Sequence, residues 1–332
     1  MKGKIAFGAA LIGVLVLLEV GFRAFGFRTK DTSGKSAMHI LPNTMFSNDS
    51  VFGVRMNPGH YIVYQPHTQY SVTIETSGHR ATSDNDSNSY SKHPAIVFLG
   101  GPSMFGHGVD DNETCPYFLQ SVLPKYKVRN LASLKSGLAD NYVELSHLTN
   151  LQSDDLVVYV YQSIHDNRGK MFNRKSFSIA NSNLPLRQFQ YLTLDSNLSV
   201  HFNDYSHVTF PFNNYSATIN FLENNYNNYI TRASVESHSI AERTILAMND
   251  WCKRQNCNFV LVYWFNDKYT NQTLEFCRQH NIKAMLVKGD IRFKQTGGHQ
   301  SLADSNKAFA DSLINRFVSG RLIDTSQNQA TR

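Results

Sequence analysis

The stretch Phe98–Val109, FLGGPSMFGHGV, holds residue types that could carry nucleophilic chemistry. It follows a short apolar run, Ala95–Leu99, and precedes DDNETCPYFLQSVL, an acidic turn leading into an amphipathic helix. A strand feeding a glycine-flanked turn and then a helix is where α/β enzymes mount a nucleophile, because the sharp turn exposes one side chain above the sheet. The residue at the tip of this turn is Pro102, which has no nucleophile. Ser103 is adjacent, and its type fits either a displaced nucleophile or the N-cap of the helix that follows.

Other chemistries find less in the sequence. Cys115, Cys252, Cys257 and Cys277 have no metal-ligand spacing, so neither a metal nor another cofactor is expected. Cys252 and Cys257 flank a helix end, which leaves a local disulfide and ordinary buried thiols both open. There is no G-x-G-x-x-G, no P-loop and no internal repeat. The net charge is +6, yet Lys and Arg are scattered rather than gathered into a stripe, so no nucleic-acid partner is expected. Six N-x-S/T sequons, the first at Asn48, are no more than an Asn- and Ser-rich chain produces by chance.

Alternating elements have to position the turn. A chain of 332 residues, 41% hydrophobic and 17% charged, suffices for one large or two ordinary globular domains. From about His93, periodicity predicts strand Ala95–Leu99, helix Tyr117–Leu123, strand Lys127–Leu131, helix Asp140–Thr149 and strand Leu156–Tyr161. After a tract poor in pattern, it predicts helix Ser234–Arg254, strand Asn258–Trp264, helix Asn271–His280, strand Lys283–Val287 and helix Leu302–Phe317. Short Val/Leu/Ile-rich strands separated by helices imply a three-layer, doubly wound parallel sheet. The Asn-, Phe- and Tyr-rich tract 167–231 then reads as an insertion lying like a lid over the carboxyl ends of the strands, where such sheets bind ligands.

The first residues add a second theme. MKGKIAFGAALIGVLVLLEVGFRAFGFR has a basic start and an apolar run from Ile5 to Leu18, interrupted by Glu19 and extended by Val20 to Phe22. No small-x-small cleavage site follows, so 1–28 reads as an uncleaved, single-pass signal anchor with the body periplasmic or otherwise outside the cytoplasm. Thr29 to about Ser50 reads as a stalk, Tyr61–Thr82 as a hairpin or edge strands, and Ser83–Lys92 as a linker. The stalk and pre-domain strands together cover 29–92, and the main domain 93–325.

GGPSMFGHGV with DDNET and a helix, then VRNLASLKSGLADNYVELSHL, DDLVVYVYQSIHDNRG and a late TGGHQS with a closing helix resemble, in that order, the SGNH (GDSL-type) hydrolases. LVLLEVGFRAFGF and SVTIETSGHRA resemble the anchor and pre-domain strand of membrane-anchored members. The resemblance implies a flavodoxin-like sheet carrying a site for esters. It places Gly100 and Gly101 at the head of the nucleophile turn and the nucleophile position on Pro102, where proline removes both the hydroxyl and an oxyanion-hole N–H. It places an oxyanion glycine near Lys135, whose ammonium would enter the pocket or lie on its rim. His165 and Arg168 match an H-x-x-R that could hold an oxyanion and an anionic group; the alternative is a surface turn with Asp166 pairing Arg168. His299 falls in the register of the family's base, but Gly297 and Thr296 stand where its orienting Asp should be, with Asp290 and Asp304 as distant candidates. Ser301 reads as the N-cap of the last helix.

Three functions follow. The first is a membrane-anchored SGNH-like protein that binds or acts on O-acylated glycans at the cell surface, impaired in hydrolysis by Pro102. The second is an active serine esterase or O-acyltransferase using Ser103 and His299. The third is a non-catalytic structural surface protein on the same frame.

Overall fold

A computed structural model describes residues 2–29, 38–65, 68–84, 94–134, 136–162, 188–195, 197, 199–206, 208–230, 237–287 and 299–323. Helix α1 covers Lys2–Ala24, followed by strands β1 (His39–Leu41), β2 (Phe46–Asp49), β3 (Gly53–Met56), β4 (Gly59–Gln65) and β5 (Thr68–Ile74). Then come β6 (Ala95–Gly100), the single turn α2 (Pro102–Phe105), α3 (Cys115–Val122), β7 (Lys127–Asn130), α4 (Leu138–Ser146) and β8 (Leu156–Tyr161). The remainder holds β9 (Gln188–Leu194), β10 (Val200–Ser206), α5 (Ala217–Ile230), α6 (Ser237–Arg254), β11 (Asn258–Tyr263), α7 (Thr270–Gln279), β12 (Ala284–Leu286) and α8 (His299–Ser319).

The five stretches anticipated as strands form one parallel sheet, in the order β12-β11-β8-β6-β7. Numbered along the chain within this sheet, that is the flavodoxin-like order 2-1-3-4-5. Strands β6 and β8 are buried at every position, as strands covered on both faces must be. Ile96 and Phe98 point into one core layer with Leu119 of α3 and Phe309, Leu313 and Phe317 of α8. Ala95, Val97 and Leu99 point into the other, with Leu138 and Leu145 of α4 and Ile240, Ile245 and Met248 of α6. The predicted three-layer α/β architecture is therefore present. Ser301 is not the cap of the last helix, which begins two residues earlier at His299.

Tyr61–Thr82 holds the expected antiparallel pairing, β4 with β5, but residues 38–50 of the expected stalk are built into the core. Ile40, Met45 and Phe46 are buried in the same core as β6, because β1 pairs with β4, which pairs in turn with β5. Bridges Ile74↔Arg80 and Arg80↔Asn130 tie this antiparallel ribbon to the end of β7.

Residues 1–35 and 205–232 form a compact unit of their own; residues 36–204 and 233–332 form the other. In the first, α1 packs on α5. Glu19 accepts hydrogen bonds from the Ser216 hydroxyl (2.7 Å), Ala217 N (2.9 Å) and Thr218 N (3.1 Å). Helix α5 has no acidic residue in its first turn, and Glu19 supplies from α1 the anion that a helix N-terminus favours. Arg23 pairs with Glu19 at 2.6 Å, and Phe22 and Phe27 close on Phe221. The charge that breaks the apolar run thus has a structural employment. Among the described residues no helix is long and apolar enough to cross a membrane, so the anchor expected at 1–28 is not supported as a span. The tract read as patternless also holds elements, the β9–β10 hairpin and α5. Phe210 packs against Tyr226 of α5, while Phe212 and Tyr215 are exposed.

Candidate active site

Strand β6 ends at Gly100, where a Cβ would lie 2.9 Å from Cβ of Met104 and 3.2 Å from the Val160 carbonyl. Only glycine lets the strand pass this close to β8 and to its own turn. Gly101 is extended and occupies the N-cap position without any side-chain cap; Pro102 follows at the first helical position, where its missing N–H costs nothing. Ser103 is consequently the second residue of the turn and not its N-cap, which removes the ordinary structural explanation for it. Gly106 ends the turn in the left-handed region at φ 89°, its N–H donating to the carbonyls of Pro102 and Ser103.

Three buried side chains hold this turn. Arg80 uses all five of its N–H groups: Nε donates to Asp111 Oδ1 (2.8 Å), Nη1 to Phe105 O (2.9 Å) and Gly106 O (2.7 Å), and Nη2 to Ser71 O (2.9 Å) and Val109 O (2.8 Å). Asn130, at the end of β7, donates to Met104 O at 3.3 Å and accepts from Ala132 N at 3.2 Å. Asn141, on α4, accepts from Gly100 N at 2.8 Å and donates to Gly137 O at 2.6 Å. Beside the turn, burial pushes the Tyr70 hydroxyl up to about 12, although the Arg80 charge opposes the rise.

Directly after β8, Gln162 donates from Nε2 to Ser103 Oγ at 3.3 Å. Strands β6 and β8 are neighbours at the point where the strand order reverses, so this contact spans the topological switch of the sheet. From the far end of the chain α8 also arrives, since a Cβ on Gly108 (φ 91°) would lie 2.8 Å from Leu302 Cδ1. His107 pairs with Gln65 of β4 at 2.8 Å, linking the antiparallel ribbon to the same turn.

The structure thus gathers Gly100, Gly101, Pro102 and Ser103 at the carboxyl edge of the sheet, with Gln162 beside Ser103 and Leu302 of α8 against Gly108. His299 is the first residue of α8, but its imidazole lies outside the described residues, as do Lys135, His165, Arg168, Asp290, Thr296 and Gly297. Asp304 is exposed on α8. Among the described residues no group of three or more metal-ligating side chains occurs.

Sequence reasoning missed Gln162, Arg80, Asn130 and Asn141. For Asn130 the local signal is weak, since it ends a strand, Lys127–Asn130, in which only Val128 is apolar. For Arg80, a lone arginine between Gly78 and the β6 run, no local pattern announces five buried hydrogen bonds.

No protein-family model matches the chain, and no curated protein matches it. Among solved structures it is similar to TesA, at 10% identity and a TM-score of 0.39 over 69% of this chain and 100% of that one. It is also similar to a putative lipolytic protein of the G-D-S-L family from Desulfitobacterium hafniense, at 10% identity and a TM-score of 0.34 over 66% and 99%. A third is protein YxiM from Bacillus subtilis, at 11% identity and a TM-score of 0.38 over 81% and 71%. A fold does not fix an activity, which lies in the side chains of the site.

Proposed function

We propose that this edge of the sheet binds acyl esters, with O-acylated glycans as the ligand class, and that it does not hydrolyse them by a covalent serine route. One observation carries the reading: Pro102 leads the turn, and the neighbouring Ser103 Oγ faces the amide of Gln162. An amide N–H donates to that oxygen and cannot take its proton, so the contact does not activate a nucleophile. His165 and Arg168 are the proposed anchors for the ligand's carbonyl oxygen and for an anionic group. Attachment at a membrane, with the body outside the cytoplasm, belongs to the same proposal. The exposed apolar side chains Val14, Leu15, Val16, Leu17 and Leu18 support it. Release of the full chain from membranes by a high-salt wash would remove that part.

The test is a fluorophosphonate probe on the full chain, beside calorimetry with an O-acetylated glycan and its deacetylated form. No labelling, together with preference for the acylated glycan that is lost in His165→Ala with Arg168→Ala, is expected. Turnover of a p-nitrophenyl ester that vanishes in Ser103→Ala would establish instead an esterase using Ser103 and His299. Equal binding of both glycans by the wild type would remove ester recognition and leave a scaffold.

A further inference from the structure

Helix α6 ends in a Schellman motif built on two cysteines. Cys257 N donates to Cys252 O at 3.0 Å, Asn256 N donates to Lys253 O at 3.0 Å, and Asn256 between them is left-handed at φ 56°. This ending brings the side chains of its third-from-last helical residue and of the residue beyond the left-handed one into contact. Here those residues are Cys252 and Cys257, and the pair is buried in the core layer on the α6 side of the sheet. Cys257 Sγ donates to Cys252 O at 3.5 Å. Both are free thiols. An aliphatic pair would serve the motif equally well as packing; two thiols in that contact can also react.

We propose that Cys252 and Cys257 are a redox site that closes to a disulfide by exchange with a small-molecule disulfide of the glutathione class, pinning the end of α6 to the start of β11. The roles follow from position. Cys257 is the more exposed, at 9% against 0%. Interaction between the two thiols lowers Cys257 and raises Cys252, and burial adds to the rise at Cys252. Cys257 thiolate attacks one sulfur of the small disulfide, forming a mixed disulfide and expelling one thiolate, which takes up the proton that Cys257 lost. Cys252 then loses its proton and attacks Cys257 Sγ. The second small thiolate leaves and gains that proton. The two cysteines lose two electrons together, and the small disulfide is reduced to two thiols. Asn258, which opens β11, donates its backbone N–H to Asp155 O at the amino edge of the sheet. The disulfide therefore forms at the opposite edge from Ser103, and the inference stands whatever the candidate site does.

The experiment equilibrates the full-length native protein with glutathione buffers from reducing to oxidising. Acid quenching, denaturation, maleimide alkylation and peptide mass mapping follow. At the oxidising end the peptide spanning Cys252 and Cys257 is expected unalkylated and two hydrogens lighter, while Cys115 and Cys277 are alkylated. Cys252→Ala should instead carry one glutathione on Cys257, showing which sulfur attacks first. Alkylation of both Cys252 and Cys257 at the most oxidising poise overturns the proposal, as does a glutathione adduct that persists on Cys257 in the wild type. Because the decisive readout is on the wild type, a variant that fails to fold leaves the proposal falsifiable.

Discussion

Arg80 is the residue on which the geometry of the turn depends most. Its side chain is fully buried, and its charge is met by the one-fifth exposed Asp111 and by four backbone carbonyls. Removing it strands four acceptors in a dry interior and takes the cation from Asp111; breaking one side of a fully buried pair costs about 3–5 kcal/mol, and the contact that Asp111 keeps with water brings the loss toward the lower end. Arg80→Ala should lower the unfolding free energy by that order in a denaturant titration, and Arg80→Lys by less, since an ammonium has three donors against five. Equal losses for the two variants would show that the fork geometry is irrelevant. Pro102 poses a different question at the same scale. Pro102→Ser puts a hydroxyl at the head of the turn without supplying a base, and members of a triad act as a unit. Turnover of a p-nitrophenyl ester should therefore stay at background in this single variant. Adding Gly297→Asp or Thr296→Asp should raise it by more than the product of the separate effects. A large rate from Pro102→Ser alone would mean that the base is already oriented, and the inactive reading would fail.

Elements repeat the lesson that local sequence states a residue's type before it states its partner. Glu19 reads in sequence as a flaw in an apolar helix, and in the structure it caps α5 nearly two hundred residues later. Burial raises its pKa, but the Ser216 hydroxyl, the amides of Ala217 and Thr218 and Arg23 outweigh that and hold it far below the ordinary 4.5. A group whose folded pKa is depressed contributes stability that is present above its unfolded value and is lost as pH falls through the folded one. Hydrogen-exchange protection of the Ala217 and Thr218 amides, corrected for intrinsic rates, should therefore decline as pH drops below about 4.5. In Glu19→Gln protection should be lower at neutral pH and nearly flat; a decline as steep as the wild type's would place the titrating group elsewhere. The main sheet was legible for the opposite reason. Leu156–Tyr161 is apolar at six consecutive positions, and only a strand covered on both faces uses such a run. Asn130 and Gln162 were harder, because each acts where a strand ends, and strand ends meet only after the sheet has closed.

At the scale of the whole molecule the ribbon ahead of the sheet shares the sheet's core, and no sequence signal says so. The polar stretch Ser83–Lys92 reads as a linker, which would make the domain from His93 onward self-sufficient. Yet Ile40, Met45, Phe46, Tyr61, Val63, Tyr70, Val72 and Ile74, all ahead of that stretch, share one core with Ile96, Phe98 and Phe105. Full burial of each such side chain is worth about 1.5–3 kcal/mol, and a domain's entire stability is only about 5–15 kcal/mol. Cutting at residue 93 also removes Arg80, leaving Asp111 and the carbonyls of Phe105, Gly106 and Val109 without the guanidinium that binds them. Residues 93–332 expressed alone should then be insoluble or lack a cooperative thermal transition. A chain beginning at residue 29 retains β1–β5 and Arg80, and should show a native near-ultraviolet spectrum with a single transition for the body of the sheet. The comparison separates two accounts of the ribbon. If 93–332 melts cooperatively at the temperature of the longer chain, the ribbon is an accessory laid on a finished domain. If it does not, the ribbon is part of what holds the Gly100–Gly106 turn in place, and the candidate site is built by the chain on both sides of Ser83–Lys92.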